Sequence, residues 1–209
     1  DQGVYSLAPE SAAFLVSTKP GFQGGILRHT SRQLIPNWLH LTEVVATGKP
    51  VSAVNQQGEG SDFFQQFVTD IFPMSYPAAQ VLAGHLNLGA LQSSSALDLA
   101  AGSGVWGIAL AQSAPNLHVT AVDWPDVLPV TRKTAAKFGV DDRFSFVAGD
   151  LLEADFGTGH TVATLGHILH SEGEQRSRAL LAKTFKALAP GGTIAIAELN
   201  QTVWELQQD

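Results

Sequence analysis

Three carboxylates and a run of glycines stand at intervals that could hold one ligand between them. Gly102, Gly104 and Gly107 spell G-x-G-x-x-G, with Asp98 four residues ahead of the first glycine. Glycine in such a turn lets the backbone approach a ligand closely and take up positive φ. Asp123 ends the apolar run 119-VTAVD-123, 19 residues past Gly104. A carboxylate at that point can accept hydrogen bonds from both hydroxyls of a ribose. Up to here, NAD and S-adenosylmethionine are equally served, since both carry adenosine.

A third carboxylate separates them. Asp150 closes 147-VAGD-150 and is followed by Leu151 and Leu152. There a carboxylate can accept from the adenine amino group while the leucines cover the ring. Asp98 is then left to face the amino end of a methionine moiety. Three carboxylates around the turn would repel a pyrophosphate but not a sulfonium cation. Trp124, next to Asp123, offers either an indole face to the adenine or a plug for the sheet edge.

The elements that must position these residues follow from the pattern of apolar runs. From residue 95, short apolar runs at 96–100, 117–122, 143–147, 161–165 and 193–197 alternate with helical segments near 105–113, 126–138 and 174–188. This predicts an α/β fold: a Rossmann-like, mostly parallel sheet with helices on both faces, preceded by a helical segment. Such sheets bind ligands beyond the carboxyl ends of their strands, where the carboxylates fall. Residues 1–90 lack a strand series. Helical spacing joins Leu34, Trp38, Leu41, Val44 and Val45 and stops at Gly48-Lys49-Pro50. A second helix is expected from Ser61 through Phe63, Phe64, Phe67 and Val68, and a third over about 77–88. The division reads as a mainly helical region, 1–90, before a ligand-binding domain, 91–209.

Composition excludes several classes. The 209 residues carry a net charge of −7 and no cluster of basic side chains, so nucleic acid is not an expected partner. There is no cysteine, hence no disulfide and no thiolate metal site. No apolar run approaches the roughly 18 residues of a membrane span, so no membrane partner is expected and a cytoplasmic location is the default.

The ordered series LDLAAGSG (97–104), AVDWPDV (121–127), AGDLLEADF (148–156), GHILHSEGE (166–174) and LAPGGTIAIAE (188–198) resembles the class I S-adenosylmethionine-dependent methyltransferases. More narrowly, it is similar to the bacterial branch of the small-molecule O-methyltransferases related to the plant caffeic acid and hydroxyindole (acetylserotonin) enzymes. The stretch 37-NWLHLTEVVATGKP-50 resembles that family's linking region. Ala100 stands where many members have glycine, which leaves Gly102 and Gly104 to carry the loop.

The resemblance implies S-adenosyl-L-methionine as cofactor, held by Asp98, Gly102, Gly104, Asp123, Trp124, Asp150 and Leu151. It places a general-base histidine at His170 and, at Glu198, the glutamate that orients it. An imidazole suits proton removal near neutral pH, and a carboxylate partner fixes its tautomer. Ser171-Glu172 replaces the family's usual Asp-Trp after the histidine. Phe67, Met74 and Tyr76 fall near the family's acceptor pocket, although at helical spacing such residues are usually core. The implied function is O-methylation of a small, aromatic hydroxyl compound without a metal. Alternatives are C- or N-methylation on the same scaffold, a non-catalytic adenosyl-binding module, or a nicotinamide-dependent oxidoreductase using the glycine turn. The family also leads one to expect a dimerisation segment before Tyr5, a homodimer, and further strands after the fifth where 199-LNQTVWELQQD-209 stands.

Overall fold

The computed structural model describes residues 3, 5–19, 21–49, 61–90 and 94–198. The expected stop at Pro50, the side chain of Ser61 and the stretch 199–209 lie outside what is described. The chain divides into two compact units, Asp1–Ala78 and Ala79–Asp209.

The first unit is helical. It contains α1 (Pro9–Phe14), α2 (Gly24–His29), a π-helical turn (Thr30–Leu34), α3 (Ile35–Trp38) and α4 (Leu41–Thr47). Helix α4 ends on Gly48, whose φ of 63° is the left-handed cap conformation that glycine accepts without strain. Two helices were expected over 61–88; instead α5 runs unbroken from Ser61 to Leu86 with Pro73 and Pro77 inside it. Proline removes a hydrogen bond and normally interrupts a helix. Here the apolar face, with Val68, Ala79 and Ala83 buried, continues in register across both prolines. Arg28 donates to both carboxylate oxygens of the buried Asp70 at 3.1 and 2.6 Å, which pins α2 to α5 within this unit.

The second unit contains the sheet. Strands β1 (Ser94–Leu99), β2 (Leu117–Asp123), β3 (Phe144–Ala148), β4 (His160–Gly166) and β5 (Leu188–Ala197) stand in the order β3-β2-β1-β4-β5. Every pairing is parallel. The connecting helices are α6 (Val105–Ser113), α7 (Leu128–Lys137) and α8 (Leu169–Ala187). This is the sheet and alternation read from the sequence.

Strand order reverses between β1 and β4, the switch point at which open α/β sheets place their ligands. Leu97, Leu99, Val122, Ala163, Leu165 and Leu180 form the core beneath that point. Helix α6 is buried from Val105 to Ala111, so the glycine turn feeds straight into the interior. In α8, Gly173 (φ 73°, ψ 165°) breaks the helix after its first turn. The turn bearing His170 is thereby set apart from the rest. Strand β5 begins earlier than its apolar run suggests, with a register shift opposite β4 between His160 and Val162.

Candidate active site

The turn after β1 is held by its own backbone. Ala100, Gly102 and Gly104 all take positive φ (52°, 57° and 79°). For Ala100 this is strain of the kind concentrated at functional turns. The peptide of Gly102 is tied at both ends. Its N–H donates to Asp123 Oδ2 at 2.7 Å, and its carbonyl accepts from Thr131 Oγ1 on α7 at 2.7 Å. Asp123 Oδ1 accepts from the Trp124 N–H, also at 2.7 Å. The Asp123 carboxylate therefore sits at the tip of β2 with each oxygen still holding a lone pair for a further donor.

Asp98 lies deeper than the sequence suggested. It is fully buried in β1, with Oδ2 accepting from the Gly107 N–H at 2.9 Å and Oδ1 from Thr164 Oγ1 at 2.8 Å. This also accounts for Gly107. A Cβ there would meet Val119 at 2.8 Å, Asp98 Oδ2 at 2.9 Å and Phe144 at 3.2 Å, so only glycine lets α6 come this close to β1. The third glycine of the fingerprint serves packing and Asp98.

Neither buried carboxylate faces a cation among the described residues. Burial pushes the Asp98 carboxyl up to about 7, the Asp123 charge adding to the effect despite the hydrogen bonds from Thr164 and Gly107. Burial likewise pushes Asp123 up to about 6, against the two backbone N–H groups. Two buried acids without a countercharge at the switch point are what a cationic ligand would satisfy.

Asp150 follows β3 and is not alone. Arg176 Nη2 donates to Oδ1 at 3.0 Å and to Oδ2 at 2.8 Å, and the Leu152 N–H donates to Oδ1 at 2.8 Å. The charge argument against a pyrophosphate therefore rests on Asp98 and Asp123, since Arg176 compensates Asp150. Leu151 packs into the core beneath the loop, whereas Leu152 is partly exposed. Trp124 is partly buried, with its carbonyl accepting from Val127 and Leu128 at the start of α7.

The structure brings His170 and Glu198 together. His170 Nδ1 lies 2.8 Å from Glu198 Oε2, and Glu198 Oε1 accepts from the Leu169 N–H at 2.6 Å. The carboxylate thus braces both the ring and the backbone of the turn that carries it. With Nδ1–H donating to Glu198, Nε2 is the nitrogen left to accept a proton. His167, at the end of β4, has φ 58° and lies 6.2 Å from the Trp106 ring.

Phe67, Met74 and Tyr76 belong to the first unit. Phe67 packs against His29 with ring centroids 4.8 Å apart, Tyr76 stacks on Phe72 at 5.1 Å, and Met74 is exposed. Sequence reasoning missed Thr131, Thr164 and Arg176. The two threonines gave no signal, and Arg176 showed only an ordinary i, i+4 spacing from Glu172.

A parallel sheet ordered 3-2-1-4-5, a glycine turn at its switch point, and acids near successive strand ends match the arrangement expected of the S-adenosylmethionine-dependent methyltransferases that the sequence resembles. Residues 96–192 match the family model described as a methyltransferase domain. The chain is 31% identical over 202 residues to 3-hydroxy-5-methyl-1-naphthoate 3-O-methyltransferase of Streptomyces sahachiroi, covering 94% of this chain and 58% of that protein. It is 29% identical over 198 residues to the tetracenomycin polyketide synthesis 8-O-methyl transferase TcmO of Streptomyces glaucescens, with 93% and 58% covered. A solved Nostoc punctiforme protein superposes with a TM-score of 0.80 at 29% identity, covering 92% of this chain and 57% of that one. The chain thus spans somewhat over half the length of these relatives.

Proposed function

We propose that the protein transfers the methyl group of S-adenosylmethionine to a hydroxyl of a small aromatic molecule, with His170 as general base. One observation carries the reading most: Asp98 and Asp123 lie buried at the switch point with no cation against them among the described residues. Two curated relatives that match over nearly the whole chain are named as O-methyltransferases, one of a hydroxynaphthoate and one of tetracenomycin polyketide synthesis, which supports the acceptor class.

When bound, S-adenosylmethionine supplies an electrophilic methyl group on a sulfonium. The chain does the rest. Asp123 accepts from the ribose hydroxyls, its orientation already fixed by Gly102 and Trp124. Asp150 accepts from the adenine amine, with Trp124 beside the base and Leu151 beneath the loop. Asp98, which ties β1 to α6 and β4, would lend negative charge toward the amino-acid end. Gly102 and Gly104 keep that turn open to the ligand. His170 removes the hydroxyl proton through Nε2, and Glu198 holds the ring and stabilises the imidazolium. Orientation of acceptor oxygen and methyl carbon contributes much of the rate, as in any in-line displacement. Phe67, Met74 and Tyr76 are proposed to contribute to the acceptor wall, because flat acceptors favour aromatic and thioether contacts.

Isothermal titration separates this reading from a nicotinamide enzyme. S-adenosylhomocysteine is expected to bind and to raise the thermal midpoint by mass action, and NADH to do neither. Binding of NADH alone would sink the proposal. A product methylated at carbon or nitrogen would keep the cofactor and remove the need for a base.

The proposed assembly is a cytoplasmic homodimer. Light scattering on the protein at micromolar concentration checks it, and a monomer would count against it.

A further inference from the structure

We infer that Arg176 is a positioning residue that fixes Asp150 for the adenine amine and so sets the preference for a 6-amino purine. The inference rests on the reading of Asp150 given above. Helix α8 presents Arg176, Leu180 and Lys183 at i, i+4 and i+7, one face of the helix. All three grip the loop that follows β3. Leu180 is fully buried in the core cluster that also holds Leu151, Ala154 and Phe156. Lys183 Nζ donates to the carbonyls of Leu151, Leu152 and Ala154 at 3.0, 2.8 and 2.5 Å and lies 4.2 Å from the Phe156 ring centroid.

Arg176 completes the row. Its Nε donates to Glu172 at 2.6 Å and its Nη2 to both oxygens of Asp150. Glu172 and Arg176 alone would be an ordinary exposed i, i+4 pair of little consequence. Two facts set this one apart. Asp150 lies 26 residues earlier, on the loop proposed to meet the base, and the side chains of Glu172 and Asp150 are only 13% and 26% exposed. Glu172 also stands before the Gly173 break, so the guanidinium is held from a second segment of backbone.

The geometry leaves Asp150 with a defined vacancy. Oδ1 already receives Arg176 and the Leu152 N–H, and among the described residues Oδ2 receives Arg176 alone. A carboxylate oxygen has two lone pairs, so Oδ2 keeps one for a further donor. Arg176 Nη2 bridges both Asp150 oxygens while Nε holds Glu172, so the guanidinium places the Asp150 carboxylate by linking it to a second acid. An exocyclic amine can donate to that oxygen. A 6-oxo purine would set an oxygen against it instead.

The test compares S-adenosylhomocysteine with S-inosylhomocysteine by calorimetric titration of wild type, Arg176→Met, Arg176→Lys and Lys183→Met. Arg176→Met is expected to weaken S-adenosylhomocysteine binding on the order of tenfold, the worth of one charge-assisted hydrogen bond. S-inosylhomocysteine binding should hardly change, so the wild-type preference collapses, and Arg176→Lys should restore part of it. Lys183→Met should lower the thermal midpoint and leave the preference intact. A preference unmoved by both Arg176 variants, whatever their thermal midpoints, overturns the inference alone. Failure of the wild-type protein to bind S-adenosylhomocysteine overturns the methyltransferase reading and takes the inference with it.

Discussion

Replacing His170 by glutamine is expected to slow methyl transfer to a weakly acidic phenol by about 10²–10⁴-fold, the range for loss of a general base. The affinity for S-adenosylhomocysteine should stay at the wild-type value. The split follows from the geometry: Glu198 engages Nδ1 and the Leu169 N–H, so the ring reaches its reacting partner only through Nε2. Glutamine keeps much of the size and can still donate to Glu198, but it accepts no proton at neutral pH. Glu198→Gln should cost less, because the amide can still brace the turn while the imidazolium loses its countercharge. The acceptor must be weakly acidic, since a hydroxyl already ionised at the assay pH does without a base. Single-turnover rates at saturating cofactor read the effect directly. A His170→Gln variant with full activity on such an acceptor would leave positioning as the sole source of rate and strip the O-methyl reading of its chemical support.

Much of this site could be read from the chain because its parts are local. The turn after β1, the acid at the tip of β2 and the acid after β3 each follow an apolar strand at short range, and the strand–helix alternation gave all five strands. The His170–Glu198 pair, 28 residues apart, came from family resemblance and not from spacing. Other features depend on contacts that no local pattern encodes. The depth of Asp98 is one: its oxygens accept from the Gly107 N–H and from Thr164, which is 66 residues away on the neighbouring strand. Gly107 looked like part of a dinucleotide fingerprint and is instead required by the closeness of α6 to β1. Arg176 went unnoticed because its tie to Asp150 crosses from α8 to another loop. The unbroken α5 shows the opposite case, in which burial along one face overrides two prolines that the local rule would treat as stops.

Asp123→Ala is expected to weaken S-adenosylhomocysteine binding by about 1.5–3 kcal/mol, the usual worth of hydrogen bonds to a charged group. The variant loses the proposed ribose contacts and also frees the Gly102 N–H that Asp123 holds at 2.7 Å, so the glycine turn loses one of its two ties. Because burial raises Asp98 to about 7 and Asp123 to about 6, the free protein retains protons that an unfolded chain would release. The native state therefore gains stability from these two groups at low pH, and that gain is lost as pH rises from about 4 through 7. Binding of a cation runs the other way. S-adenosylmethionine favours the ionised carboxylates, so its affinity should climb between pH 5 and 8 and level off once both are charged. Asp123→Ala removes one of the two titrations, so its affinity should climb less steeply over the same range. Calorimetry in buffers of different ionisation enthalpy counts the protons released on binding. A wild-type affinity that is flat from pH 5 to 8 would mean that the ligand's positive charge does not act on these two acids, and an Asp123→Ala variant that binds as tightly as wild type would mean that the ribose assignment is wrong.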